Sequence, residues 1–170
     1  ANVHRMEAEK PNIGRAAHEY EEVLRKYLEL DDRGFPSFHL IFLGVGNDGH
    51  TASLFPGTRV LRQTSRWVST PIVTKFNTRR MTLTLPVLEA ALRVVFLVVG
   101  PEKADILHAV LQTKADPPYP TQLVQPRDNG LKLFLVDEAA AARLDPADAP
   151  KTLPQAKATA TPRAKPGKGS

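Results

Sequence analysis

The sequence predicts an α/β domain with a mostly parallel sheet flanked by helices, and three observations carry that reading. The runs His39–Leu43, Val94–Val99 and Leu131–Val136 are almost continuously apolar, as strands buried on both faces of a parallel sheet are. Glycine stops the first two, at Gly44 and Gly100. Segments of helical spacing alternate with these runs, and that alternation marks the α/β class.

The elements follow in order. Ala16, Ala17, Tyr20, Val23, Leu24, Tyr27 and Leu28 recur at three- and four-residue steps among Glu and Arg, which predicts an amphipathic helix. Asp31, Asp32, Arg33, Gly34 and Pro36 close it. After the strand at His39–Leu43, Trp67–Val73 is a weaker strand candidate, interrupted by Pro71. Behind the Val94–Val99 strand, Pro101–Gln112 reads as a helix with Ala104, Leu107, Val110 and Leu111 on its apolar side. The strand Leu131–Val136 leads into a short alanine-rich helix, Asp137–Leu144, which Asp137 is placed to cap. From about Pro146 the composition turns to Ala, Pro, Lys and Thr. Such a segment cannot bury enough surface to offset its ordering entropy, so residues 1–145 form the domain and residues 146–170 a disordered basic tail.

A chain of 170 residues with 42% hydrophobic and 24% charged residues is that of an ordinary globular domain. In the tail Lys151, Lys157, Arg163, Lys165 and Lys168 face only Asp145 and Asp148, so over half of the net +5 charge resides there. The basic balance therefore does not indicate a nucleic-acid-binding fold. The absence of cysteine excludes disulfides and thiolate zinc sites. The start of the chain is charged and lacks the apolar core of a signal peptide, and the longest apolar runs fall far short of a membrane span. These features predict a cytoplasmic protein with neither a membrane nor a nucleic-acid partner. The chain opens at Ala1 without an initiating methionine, as a processed product or an excerpt would.

Gly44, Gly46 and Gly49 match the spacing G-x-G-x-x-G directly after a predicted strand. A dinucleotide fingerprint would open a long helix and place an acidic residue about twenty positions later. Here Pro56 and Gly57 interrupt, and no Asp or Glu occurs between Asp48 and Glu89, so that reading is rejected. The same glycines lie at the carboxyl end of a strand, where α/β sheets bind ligands, and let backbone N–H groups approach one closely. Asp48 and His50 flank Gly49, near enough for the carboxylate to orient the imidazole, and His50 is a candidate general base. Taken alone, these two residues fit an exposed histidine beside a common Asp-Gly turn at least as well.

The charges beyond the loop are lopsided. Arg59, Arg62, Arg66, Lys75, Arg79 and Arg80 lie between Gly49 and Leu88, a stretch with no carboxylate. It suits an anion, with a solvated surface as the plainer reading of Arg59, Arg62 and Arg66. Lys103 falls in the first turn of a predicted helix, where a cation opposes the helix dipole; that position suggests a compensating anion, and helix amino termini are natural phosphate sites.

The stretch GVGNDGHTASLFP, from Gly44 to Pro56, resembles the signature of 6-phosphogluconolactonases, with every fixed position filled. The related glucosamine-6-phosphate deaminases share its first part but end differently, so Ser53–Pro56 points to the lactonase branch. Arg80–Pro86, Gly100–Lys103, Tyr119–Leu123 and Val136–Ala140 are similar to further family segments in the same order, and the similarity runs from about Asn2 to Leu144. The resemblance implies a Rossmann-like sheet and hydrolysis of 6-phospho-D-glucono-1,5-lactone, a small sugar-phosphate lactone, with neither metal nor cofactor. It implies His50 and Asp48 as the catalytic pair, Gly44, Gly46 and Gly49 as a substrate and oxyanion loop, and Arg80 and Lys103 as ligands of the substrate phosphate. The family's earlier glycine-rich phosphate loop and D-E-R segment have no counterpart in this chain. The expectation is therefore a carboxyl-terminal part that lacks the first strands of the sheet and part of the site. A glucosamine-6-phosphate deaminase-type isomerase and a non-catalytic sugar-phosphate-binding fragment are the alternatives.

Overall fold

The computed structural model of the chain describes residues 2–73, 77–127, 130–145 and 147. Helix α1 (Ile13–Tyr27) begins where the side chain of Asn12 accepts a hydrogen bond from the Arg15 N–H, and ends with Arg25 and Lys26 in its last turn. The cap satisfies an otherwise unpaired N–H, and the cations at the carboxyl end suit the helix dipole. Its buried residues are Ile13, Ala16, Ala17 and Leu24, whereas Tyr27 at the end of the predicted stripe is 56% exposed.

Strand β1 (Ile41–Gly44) starts the main sheet. The chain then passes through a 3-10 turn (Arg59–Arg62) and four two-residue strands, β2 (Val68–Ser69), β3 (Ile72–Val73), β4 (Thr78–Arg79) and β5 (Thr82–Leu83). β2 pairs with β5 and β3 with β4, both antiparallel. The weak strand predicted at Trp67–Val73 thus divides between two ribbons, because Pro71, at the break, has no N–H to offer a continuous ladder. Helix α2 (Leu85–Glu89) leads into β6 (Arg93–Val98). A 3-10 turn (Pro101–Lys103) precedes α3 (Ala104–Gln112), then α4 (Pro120–Leu123), β7 (Leu131–Val136) and α5 (Glu138–Ala141) follow. Asp137 caps α5 by accepting the Ala140 N–H at 2.8 Å, as its position predicts, and it also accepts the Gly100 N–H beyond β6.

The main sheet has the order β1-β6-β7 and is parallel throughout. Its register aligns Ile41 with Val94, Leu43 with Phe96, and Phe96 with Phe134, whose rings stack at 4.7 Å. Val94, Phe96 and Val98 are essentially fully buried in a cluster with Leu54, Leu88, Ile106 and Leu107. A second cluster joins α1 to the β2–β5 ribbon through Ala17, Leu24, Trp67, Val68 and Val87.

The opposite face of the sheet departs from expectation. Phe42, Leu97 and Leu135 are 59%, 47% and 39% exposed, although continuous apolar runs predict burial on both faces. Side chains alternate across a pleated strand, and among the described residues α3 covers one face only, as its place in the Val94–Phe96 cluster shows. The predicted basic tail falls outside the described residues apart from Ala147.

Candidate active site

The loop after β1 is built around its histidine. The Gly46 N–H donates to the His50 carbonyl at 2.9 Å, and the Gly49 N–H to the Gly46 carbonyl at 2.9 Å, closing a tight turn. Thr51 is buried and its hydroxyl donates to the Gly44 carbonyl, fixing the loop's exit against the strand end. The Gly49 carbonyl accepts from both the N–H and the hydroxyl of Thr121, at the start of α4. The Ser53 N–H donates to the Thr82 hydroxyl in β5. The end of β1, the start of α4 and β5 thereby hold one short loop, which opens no helix, consistent with rejecting a dinucleotide site.

Two glycines are required. A β-carbon on Gly46 would lie 2.0 Å from Nδ1 of His50, so the imidazole occupies the space a side chain would take. Gly49 has φ of +74°, and a β-carbon there would meet the Tyr119 ring at 2.3 Å.

His50 Nδ1 lies 2.5 Å from Asp48 Oδ1, which also accepts the His50 backbone N–H at 3.2 Å. An ionised carboxylate only accepts, so this contact calls for a proton on Nδ1, and in the neutral imidazole that leaves the lone pair on Nε2. The imidazole stacks on Phe55 with centroids 4.1 Å apart. Ring tilt and tautomer are thus both set, on a side chain still 27% exposed. An oriented imidazole with a free Nε2 lone pair is suited to take a proton from water.

An open cleft of about 500 Å³ adjoins this group, lined by Phe42, Gly44, Gly46, His50, Ala52 and Lys103, among others. Lys103, at the amino end of α3, donates from Nζ to Asn47 Oδ1 at 2.6 Å. Its predicted unfavourable place on the helix is therefore matched by a neutral amide oxygen, and its charge remains available to an anion in the cleft. Of the predicted site residues, Gly44, Gly46, His50 and Lys103 line the cleft, and Asp48 and Gly49 lie in the loop beside it. Arg80 is exposed between β4 and β5 and is not among the cleft-lining residues. The N–H groups of Gly46 and Gly49 are engaged inside the loop, so the oxyanion role expected of them is not served by those amides. Arg66 has a carboxylate partner after all, Glu21 of α1 at 3.4 Å, and Lys75 lies outside the described residues. Sequence reasoning did not single out Asn47 or Phe55. Asn47 meets its partner across 56 residues, a pairing that no local pattern encodes. Among the described residues no three His, Cys, Asp or Glu side chains gather as a metal site would require.

Residues 1–135 match the family model described as glucosamine-6-phosphate isomerases/6-phosphogluconolactonase. A 6-phosphogluconolactonase of Synechocystis sp. is 37% identical over 147 residues, covering 86% of this chain and 60% of the relative. The 6-phosphogluconolactonase of Homo sapiens is 44% identical over 131 residues, covering 76% and 49%. Among solved structures, 6-phosphogluconolactonase of Trypanosoma brucei superposes with a TM-score of 0.69 at 27% identity, covering 84% of this chain and 57% of that one. A monomeric glucosamine-6-phosphate deaminase, 14% identical with a TM-score of 0.58, shares the fold. The chain spans about half to three-fifths of the length of the relatives it matches.

Proposed function

Because the chain belongs to the glucosamine-6-phosphate isomerase/6-phosphogluconolactonase family, we propose that its His50 cleft hydrolyses 6-phospho-D-glucono-1,5-lactone to 6-phosphogluconate. The observation that carries this reading is the Asp48–His50 pair, whose Nδ1–carboxylate contact turns the ring's Nε2 away from Asp48 at the carboxyl end of a parallel strand. Phe55 adds support, since the ring that stacks on His50 belongs to the Ser53–Pro56 ending that distinguishes the lactonase signature.

The chain's residues would work as follows. His50 Nε2 takes a proton from a water molecule as its oxygen attacks C1 of the lactone. The C1–ring-oxygen bond then breaks, and the imidazolium returns the proton to the departing oxygen, leaving a carboxylic acid that ionises. Asp48 holds the ring's orientation and stabilises its transient positive charge. Lys103 binds the substrate phosphate from the cleft wall; the family resemblance gives Arg80 the same task, from a position outside that wall. Binding energy from that remote phosphate positions C1 over His50.

The test is turnover of 6-phosphogluconolactone above its spontaneous hydrolysis, with His50→Ala beside the unaltered chain. Replacing the base is expected to lower kcat by roughly 10²–10⁴-fold. Equal turnover by the two proteins would remove His50 from the reaction.

A further inference from the structure

The short helix α4 does not line the His50 cleft, yet one of its side chains grips the residue between Asp48 and His50. Thr121 is fully buried and gives the Gly49 carbonyl two hydrogen bonds, from its hydroxyl at 2.9 Å and from its backbone N–H at 3.1 Å. The Gly49 carbonyl and the His50 N–H are the two ends of one peptide unit, which is planar and cannot turn at one end alone. That N–H donates to Asp48 Oδ1 at 3.2 Å, the same oxygen that lies 2.5 Å from His50 Nδ1. Thr121 therefore holds one end of a rigid plate whose other end meets the carboxylate orienting the imidazole. Gly49 supplies little restraint of its own, with φ of +74° and no side chain.

The helix is anchored well enough to serve as a fixed support. Gln122 donates to the Val110 and Thr113 carbonyls at the end of α3, at 3.1 and 2.9 Å, and its Oε1 accepts the Tyr119 N–H. From β7, Lys132 Nζ donates to the Thr121 carbonyl at 2.9 Å. That ammonium lies 5.6 and 5.7 Å from the centres of the Phe96 and Phe134 rings, within reach of cation–π attraction. A continuous line of contacts thus runs from the main sheet, through Thr121, to the loop that carries His50.

We propose that Thr121 is a positioning residue for His50, its hydroxyl clamping the Gly49–His50 peptide plane so that Asp48 and the imidazole keep their mutual geometry. Thr51 and Ser53 tie the chain down after His50, whereas Thr121 acts on the peptide unit that enters it. The threonine touches neither the ring nor the cleft and works through the backbone. Its effect on rate rests on the reading of His50 as the base; its effect on the ring rests on the loop's geometry alone.

The probe is the His50 ring itself, followed by NMR in Thr121→Val and Thr121→Ser; of the five histidines it is the one whose signals vanish in His50→Ala. Thr121→Val keeps the backbone N–H and nearly the same volume, so the Gly49 carbonyl retains a partner and the hydroxyl bond alone is lost. It is expected to shift the His50 ring signals and to lower kcat for 6-phosphogluconolactone about three- to tenfold, the worth of one hydrogen bond, with KM within about twofold. Thr121→Ser should restore both. His50 signals that coincide in Thr121→Val and the unaltered chain would overturn the proposal, and so would a serine variant no nearer the unaltered chain than the valine one. Ring signals that shift while kcat holds, in a chain whose turnover needs His50, would overturn it too. A threonine serving stability alone would lower the urea midpoint and leave the ring in place. Should His50→Ala turn over the lactone as fast as the unaltered chain, the reading of His50 as base falls, and the ring signals still decide whether Thr121 positions it.

Discussion

At Gly46 a hydrogen atom is what allows the site to form. The β-carbon of an alanine would fall 2.0 Å from His50 Nδ1 and 2.9 Å from Asp48 Oδ1, well inside van der Waals contact, so the imidazole would have to leave its place beside the carboxylate. Misplacing a reacting group by about 1 Å costs on the order of a hundredfold in rate. Gly46→Ala is therefore expected to lower kcat for the lactone about a hundredfold. The loop's backbone bonds to His50 and Gly46 carbonyls need no side chain, so far-UV circular dichroism should be unchanged. Full activity in the variant would show that the imidazole works from another position. The same steric fact bears on how Gly46 is read: the sequence shows a glycine needing closeness to a ligand, and in the structure the close neighbour is His50.

Between elements, the contact that sequence reading could least foresee is that of α1 with β2. The Glu21 carboxylate accepts the Trp67 N–H at 3.1 Å and the Val68 N–H at 2.9 Å, and Arg66 adds an exposed ion pair. Trp67 and Val68 are buried, so Glu21→Ala leaves two backbone donors without a partner. Each such group costs roughly 1–3 kcal/mol, and a loss of about 2–6 kcal/mol is expected in urea unfolding. Glu21→Gln keeps an acceptor oxygen and should lose less; equal midpoints for both variants and the unaltered chain would refute the role. β1, β6, β7, α1 and α3 were legible because each holds its apolar period long enough to be counted. The strands at Thr78–Arg79 and Thr82–Leu83 are two residues each, too short to show alternation, and α2 is five residues with proline near its start. The Asp48–His50 contact was legible because its members are two residues apart. Asn47 with Lys103, and Glu21 with Trp67, join distant segments and depend on how the domain closes.

At the scale of the whole molecule, the main sheet presents an apolar face to solvent. Phe42 of β1, Leu97 of β6 and Leu135 of β7 lie on that face, with Leu97 opposite Leu135 and Phe42 opposite Val95, two residues before Leu97; Leu131 and Val99 are also exposed. Phe42 belongs as well to the wall of the His50 cleft, so whatever covers the face also bounds the site. A continuous apolar surface of this kind favours contact with other apolar matter over water. In isolation the 170-residue chain is therefore expected to bind anilinonaphthalene sulfonate and to sediment increasingly as associated species when its concentration is raised. Leu97 is central to the patch, so Leu97→Lys places a charge where any covering surface must desolvate it. The variant should bind less dye and stay monomeric to higher concentration. Its melting temperature should hold, because a side chain 47% exposed contributes little packing in the isolated chain. An unaltered chain that binds no dye and remains monomeric would mean the face is covered in solution by part of the chain itself.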